Sequence, residues 1–286
     1  MLLEIGLVGK ITDRLNSLGV KSVVYSGVSP DPTFDHVDEG IALAKQQNCE
    51  AVLAVGGGSS IDAAKIISAG AAINKPVRKM IGLFRVRKPC LRLYAIPTTA
   101  GTGSEVSPGA VISDPVTHEK HLIADPKITP LMAAIDASLM LDLPSPITAA
   151  TGMDAFTHAI ESYISRNSTL ETKGYSLMAT RIISTNLIRV TRNGQDLEAR
   201  HKMGMASFYG GLAIKGGLGY VHSISHAFSA FYRIPHGLGN AIVLPYVLEY
   251  SKESIIAPLA ELAIAVGRNN ENSCNRELAD KFIAYI

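Results

Sequence analysis

Residues 51–62 read AVLAVGGGSSID, and they predict the fold class of the first half of the chain. Ala51 to Val55 is an unbroken apolar run that ends at glycine, which is typical of a strand buried on both faces of a parallel sheet. The glycines lead directly into a predicted helix that contains Ala63 and Ile66. Upstream, apolar spacing predicts one more strand over 21–25 and two helices over 9–18 and 34–47. Alternating helices and strands indicate a parallel α/β sheet.

The glycine turn after this strand is a candidate anion site. A glycine-rich turn at a helix N-terminus lets backbone N–H groups approach an anion, whose charge the helix dipole favours. The pyrophosphate of a dinucleotide is such an anion. The spacing departs from GxGxxG, because Ile61 stands where the third glycine would be. A purely structural tight turn therefore explains the same residues about equally well.

A second candidate ligand loop follows a predicted strand over 91–96. It reads PTTAGTGSEVS from Pro97 to Ser107 and offers hydroxyl and N–H donors. Open α/β sheets bind ligands beyond the carboxyl ends of their strands, where this loop and the glycine turn both fall. An ordinary hydrophilic loop is the alternative. Short strands are predicted over 110–112, 121–123 and 132–135, and the single turn DPKITP between the last two suggests that they form a small antiparallel addition to the sheet.

Strand patterns stop at Leu143–Pro146, LPSP, where two prolines interrupt any regular element. We therefore predict an α/β domain over 1–143 and a mostly helical domain over 144–286. The final residues, 274–286, have the pattern of a helix that stops mid-run. Helical periodicity in the second domain covers 147–164, 169–192, 197–211, 222–232 and 257–267.

Histidines are concentrated in the second domain, between residues 219 and 239. His222 and His226 are four residues apart and share one face of a predicted helix. His236 follows Pro235, where that helix would have ended and the chain turned back. Neutral imidazole is the commonest side-chain ligand of metals.

Another predicted helix repeats this four-residue spacing with Asp154 and His158. Two helices and a turn can therefore bring one carboxylate and several imidazoles to a single divalent cation. An ordinary core or surface position is the alternative for any one of these histidines.

Composition narrows the class of protein. The formal net charge is only +2 and the basic residues are scattered, which argues against nucleic acid as a partner. No apolar run reaches the ~20 residues of a membrane span, and the N-terminus lacks the features of a signal peptide. Cys49, Cys90 and Cys274 form no CxxC pair and predict reduced thiols. We expect a cytoplasmic enzyme with no membrane partner and, by general prevalence, a homodimer.

Four motifs together resemble the iron-containing (group III) alcohol dehydrogenases, including lactaldehyde and propanediol reductases and butanol dehydrogenases. The resemblance covers essentially the whole chain. It implies a Rossmann-like dinucleotide-binding α/β domain followed by an all-α metal-binding domain, the dehydroquinate synthase-like architecture, with metal and nicotinamide in the cleft between them. The motifs are GGGSSID (56–62), IPTTAGTGSEVSP (96–108), TGMDAFTHAIESY (151–163) and GYVHSISHAFSAFYRIPHGLGNAIVLPYVLEY (219–250).

The resemblance also implies roles for individual residues. A bound Fe²⁺, or Zn²⁺, would polarise a short alcohol or aldehyde while NAD or NADP carries the hydride. His226 would transfer a proton, with a packing histidine as the alternative. The implied metal ligands are Asp154, His158, His222 and His236, and the implied cofactor contacts are Gly57, Gly58, Ser59, Asp62, Thr98, Thr99, Thr102 and Lys120.

Three departures from the family pattern affect what we expect of the activity and the cofactor. The family has a strand before the helix that starts near Gly9, and further helices after the last residue here. A shortened, weak or inactive remnant is therefore one alternative to an active dehydrogenase, and a glycerol dehydrogenase-type enzyme is another. Ser26 stands where NAD-preferring members carry Asp, so the repulsion of a 2′-phosphate is removed and NADP becomes a candidate cofactor. A simple turn residue is the alternative for Ser26.

Overall fold

The computed structural model describes residues 2–73, 75–269 and 272–286. The chain forms two compact units. The first comprises Met1–Pro97 and Pro108–Ala134, and the second comprises Thr98–Ser107 and Ile135–Ile286. The change of unit after Ala134 precedes the prolines at 143–146 that suggested a boundary in the sequence.

Within the described residues, the first unit contains two small sheets and three α-helices. Strands β1, β3 and β6 form a parallel sheet in the order β1-β3-β6. In the second sheet β5 lies between β2, which is parallel to it, and β4, which is antiparallel. The elements are α1 (Leu7–Ser17), α2 (Phe34–Gln46), β1 (Ala51–Gly56), α3 (Gly58–Ala72), β2 (Gly82–Leu83), β3 (Arg92–Pro97), β4 (Gly109–Ser113), β5 (Lys120–Ala124) and β6 (Met132–Ala133).

Apolar faces of α2 and α3 form the core of this unit together with β4 and β5. Phe34 and Val37 of α2 are buried with Ile66 of α3, and Ile112 and Ile123 join them from the strands. Burying one such side chain contributes roughly 1.5–3 kcal/mol. The periodicity that predicted these helices is therefore the periodicity of their buried faces.

Three expectations for this unit are wrong. Residues 21–25 form no strand, because no ladder partner lies beside them among the described residues, and Val23 and Val24 are exposed. Strand β1 is not buried throughout, since Leu53 is 37% exposed. Strand β6 is not an antiparallel addition but pairs in parallel with β3. In each case a long-range neighbour, or the lack of one, overrides the local pattern.

The second unit is helical, as the sequence predicts. Its core includes Phe156 and Ile160 of α4, Ile183 of α5 and Leu244 of α8. None of the helices within the described residues has both the length and the apolarity needed to span a membrane. The helices are α4 (Ser145–Ile164), α5 (Leu170–Arg192), α6 (Leu197–Ala213), α7 (Tyr220–Tyr232), α8 (His236–Ser251), α9 (Ile256–Ala265) and α10 (Asn275–Tyr285).

Helix α8 is a long element that sequence periodicity missed. It contains Pro245 in its interior and Gly237 and Gly239 in its first turns, and all three residues usually argue against a helix. Burial of Val243, Leu244 and Leu248 against the second-unit core outweighs these unfavourable propensities.

The loop Thr98–Ser107 packs with the second unit although its neighbours in sequence belong to the first. Ala100 is part of the helical core. Gly103 has a φ of 58°, and a Cβ there would lie 2.7 Å from the backbone nitrogen of Gly211 in α6. A Cβ on Gly101 would lie 2.6 Å from the Cβ of Thr151 in α4. Two glycines thus allow this backbone to touch two helices.

Candidate metal centre

Helix α4 carries the first two predicted ligands, Asp154 and His158. It begins directly after Pro144 and contains Pro146 in its first turn, where proline costs no intrahelical hydrogen bond. The i, i+4 spacing places both side chains on one face, and they are only 4% and 5% exposed. The pair is therefore held on a rigid, buried element.

The chain reversal between α7 and α8 brings the other two predicted ligands together. Helix α7 ends at Arg233, which adopts a left-handed φ of 56°. Pro235 then precedes α8, whose first residue is His236. As a result the His236 ring lies 5.3 Å from the ring of His222, centroid to centroid.

Three of the predicted ligands, Asp154, His158 and His222, form a group whose ligand atoms all lie within 4.8 Å of one another, and His236 lies beside Asp154. The Oδ1 atom of Asp154 lies 3.7 Å from Nε2 of His158, 3.6 Å from Nε2 of His222 and 3.4 Å from Nε2 of His236. These separations exceed hydrogen-bond length, but tetrahedral bonds of about 2.1 Å place ligand atoms roughly 3.4 Å apart. The carboxylate of Asp154 and the imidazoles of His158 and His222 could therefore hold a divalent transition-metal ion, and His236 stays a predicted fourth ligand.

Charges in the cluster suit a cation. Burial alone would raise the pKa of Asp154, but the imidazoles, with His158 foremost, hold that pKa well below its usual range. Burial lowers the pKa of His158, so its ring is neutral at neutral pH, the form that binds metal. Burial also opposes the charge of His222, yet the nearby carboxylates of Asp154 and Glu161 raise its pKa.

Two polar side chains that the sequence did not single out orient the ligands. Asn240, fully buried, donates from Nδ2 to Oδ1 of Asp154 at 2.8 Å. The hydroxyl of Ser225 donates to the carbonyl oxygen of His236 at 2.9 Å and lies 3.0 Å from Nδ1 of the same residue. Because the one hydroxyl proton is used, Ser225 Oγ accepts from Nδ1–H and leaves Nε2 of His236 as the metal-binding atom.

A third residue, Glu161, lies behind His222 and bonds its Nδ1 at 2.6 Å. A signal for it was present in the sequence. Asp154, His158 and Glu161 follow the i, i+4, i+7 pattern of one helix face. Ser225 and Asn240 had no such signal, because their roles depend on contacts between helices.

His226 lies beside the cluster. Its ring stacks on that of His236 with centroids 4.6 Å apart, and its centroid is 6.4 Å from that of His222. The predicted proton-transfer role of His226 stays a prediction.

Comparison with known proteins identifies the family of the chain. The family profile "Iron-containing alcohol dehydrogenase" matches residues 1–137, and "Fe-containing alcohol dehydrogenase family, C-terminal" matches residues 148–286. The chain belongs to the iron-containing alcohol dehydrogenase family.

Individual relatives place it within that family. The NAD-dependent methanol dehydrogenase of Bacillus methanolicus is 37% identical, over 98% of this chain and 74% of the relative. The lactaldehyde reductase of Escherichia coli K12 is 37% identical, over 93% and 70%. The crystal structure of a 1,3-propanediol oxidoreductase superposes with a TM-score of 0.95 at 34% identity, over 98% and 74%. The chain thus spans about three quarters of the length of this solved structure.

Predicted cofactor contacts of this family member occur in both units. In the first, Gly57 is the N-cap residue of α3 and has no side chain to cap the helix, while Gly58 and Ser59 form its first turn. Gly56 precedes them with a φ of 149° that favours glycine. Asp62 accepts a hydrogen bond at 2.9 Å from the N–H of Val111, so its carboxylate ties α3 to β4.

Two more predicted cofactor contacts, Lys120 and Ser26, also lie in the first unit. Lys120 Nζ bonds Asp31 Oδ1 at 2.8 Å. Ser26 lines a cavity of about 530 Å³ with Leu53 and Val55 of β1.

The three threonines lie in the loop that packs with the second unit. Thr98 is buried, and Thr102 Oγ1 accepts the N–H of Ser104 at 3.2 Å. Thr99 is half-buried. The cofactor roles of all these residues remain predictions.

Proposed function

We propose that this family member is a metal-dependent alcohol dehydrogenase. It transfers a hydride between NAD(P)(H) and a short primary alcohol or aldehyde. The observation that carries the proposal is the convergence of three imidazole Nε2 atoms within 3.4–3.7 Å of one Asp154 oxygen. Relatives support it, since they include a methanol dehydrogenase, 1,3-propanediol dehydrogenases and a lactaldehyde reductase.

Some residues of the centre would bind the metal, and others orient the metal ligands. Asp154, His158, His222 and His236 would hold Fe²⁺ or Zn²⁺, both of which accept this donor set. The metal supplies a Lewis acid for the substrate oxygen, and the nicotinamide supplies or accepts the hydride. Asp154 contributes the fixed negative charge. Asn240 and Ser225 orient Asp154 and His236 by the hydrogen bonds described above.

Proton transfer falls to His226 in this proposal. Its ring is stacked beside His236 and outside the set of four ligand atoms. An imidazole there can donate or accept a proton through a ring nitrogen. The residues Asp154, His158 and His222 are buried, which limits access of water to their ligand atoms.

Substitution of a ligand tests this function. We expect His222→Ala to remove bound metal and to abolish reduction of short aldehydes, because it deletes one of four ligands. His201→Ala on α6 is the matched control, since His201 is exposed and lies on a different helix. Metal content by plasma emission spectroscopy and NAD(P)H oxidation are measured together. Turnover that survives complete removal of metal would contradict the proposal.

The proposal extends to a homodimer in the cytoplasm. Three free cysteines support a reducing compartment, and two-fold dimers are the commonest oligomers of soluble enzymes. Analytical ultracentrifugation and cell fractionation measure these two properties.

A further inference from the structure

Glu161 is a buried carboxylate on α4 that makes three hydrogen bonds to the segment carrying His222. Its Oε2 lies 2.6 Å from Nδ1 of His222 and accepts the N–H of Gly219 at 2.9 Å. Its Oε1 accepts the N–H of Val221 at 2.7 Å. Only 3% of the residue is exposed. One carboxylate thus contacts both the ring of a predicted ligand and the backbone beside it.

The contact with the ring decides which nitrogen faces the metal position. A carboxylate acceptor at Nδ1 keeps the proton there and leaves the lone pair of Nε2 pointing toward Asp154, 3.6 Å away. The Nδ1 atoms of the other two imidazoles have different surroundings. Nδ1 of His236 meets the neutral hydroxyl of Ser225, and Nδ1 of His158 has no hydrogen-bond partner within the described part of the chain.

The contacts with the backbone fix the start of α7. The first N–H groups of a helix lack intrahelical partners, and Gly219, which caps α7, has no side chain to supply one. Glu161 supplies them from another helix, and its negative charge suits a helix N-terminus. The approach depends on glycine, since a Cβ at position 219 would lie 2.8 Å from Oε1 of Glu161.

From these contacts we propose that Glu161 is a positioning residue of the metal centre. It docks the first turn of α7 on α4 and holds His222 in the tautomer that presents Nε2 to the cation. The inference rests on the proposed function, because it presupposes a metal at these four ligands.

Metal affinity is the direct measure of this role. Loss of a hydrogen-bonded partner behind a ligand typically weakens metal binding by about 10–100-fold. Glu161→Gln keeps the size of the side chain but replaces one carboxylate oxygen with an NH₂ group. That group cannot accept a hydrogen bond from the N–H donors that Glu161 now contacts, so we expect metal affinity to fall by about 10–100-fold. Glu261→Gln is the matched control, because Glu261 bonds the hydroxyl of Tyr163 in the same unit. We expect the metal affinity of Glu261→Gln to stay within about twofold of that of the parent chain.

Gly219→Ala is a second variant that leaves Glu161 and all ligands intact. Its Cβ would displace the carboxylate, so it should weaken metal binding in the same direction as Glu161→Gln. This variant keeps the proposal testable if Glu161→Gln fails to fold.

The experiment measures the Kd for Co²⁺ by chelator competition and records the visible spectrum of the Co²⁺-loaded full chain, with the Tm of each metal-free variant. Weaker binding and an altered cobalt spectrum in Glu161→Gln and Gly219→Ala, but not in Glu261→Gln, support the proposal. A lower Tm with unchanged Kd and spectrum overturns it, because Glu161 would then serve stability alone. Failure of the parent chain to bind Co²⁺ would overturn the proposed function and this inference together.

Discussion

At the scale of single residues, the metal centre depends on the charge of Asp154. Its buried oxygen faces three Nε2 atoms, and the imidazoles hold its pKa low enough to keep it ionised. Burying a carboxylate without a positive partner costs free energy, so the buried Asp154 favours a bound cation. This charge, rather than the number of histidines, explains why the cluster suits a cation.

The predicted cofactor preference also depends on a single residue, Ser26. If Ser26 contacts the adenosine ribose as predicted, Ser26→Asp places a carboxylate where it repels a 2′-phosphate and bonds the ribose hydroxyls. We expect kcat/KM for NADPH to fall by about tenfold or more relative to that for NADH, which corresponds to 1.4 kcal/mol or more. Initial rates with both cofactors measure the ratio. Ser29→Asp, on the same exposed segment, is the control. An unchanged ratio in Ser26→Asp would leave Ser26 as a turn residue.

Asp114 gives a residue-scale prediction for pH. A hydrogen bond from Arg78, with backbone N–H groups of Val116 and Thr117, lowers the pKa of Asp114 to about 2. A pKa lowered by folding adds stability above the unfolded value of about 3.9, and this stability is lost as the pH falls toward 2. We therefore expect Asp114→Asn to lower Tm at pH 7 but to differ little from the parent near pH 2. A Tm difference that is the same at both pH values would contradict the assignment.

At the scale of elements, close backbone packing joins the loop Thr98–Ser107 to α6. Gly103 combines a left-handed φ with backbone neighbours on that helix, so no side chain fits without movement. The loop carries three predicted cofactor contacts, which means that its position relative to α6 matters for the predicted chemistry as well as for stability.

Substitution at Gly103 tests this packing. We expect Gly103→Ala to destabilise the protein by about 1–3 kcal/mol, since the new methyl group is forced against backbone atoms. Gly174→Ala on α5 is the control, because nothing lies within 4 Å of its added Cβ. That change should stabilise by about 0.4–1 kcal/mol. Urea unfolding measures both variants, and equal effects of the two would show that the loop does not pack as described.

At the scale of the whole molecule, metal binding should increase the stability of the helical unit. The predicted metal ligands come from three of its helices, α4, α7 and α8. A ligand that binds only the folded state adds RT ln(1 + [L]/Kd) to the free energy of unfolding.

Thermal unfolding with and without metal tests this coupling. At a free Zn²⁺ concentration of 100 times Kd we expect about 2.7 kcal/mol of stabilisation in the chelator-treated protein. Hydrogen exchange should slow in α4, α7 and α8. His222→Ala should gain neither effect, and a similar gain in that variant would indicate metal binding elsewhere.

Local pattern was enough to predict much of this protein. Apolar periodicity predicted α2 and the long helices α4, α5 and α6, because a helix in a folded chain buries one periodic face. The i, i+4 spacing of Asp154 and His158 placed them on one face for the same geometric reason. The four motifs added the family, which the profile matches confirm.

Tertiary contacts decided the rest. Residues 21–25 have a strand-like pattern but no partner strand among the described residues, while α8 forms in spite of Pro245 because the core buries its apolar face. The contact of Glu161 with His222, and that of Asn240 with Asp154, join residues far apart in sequence. Spacing along the chain determines which side chains share one helix face, whereas packing between helices determines which faces meet.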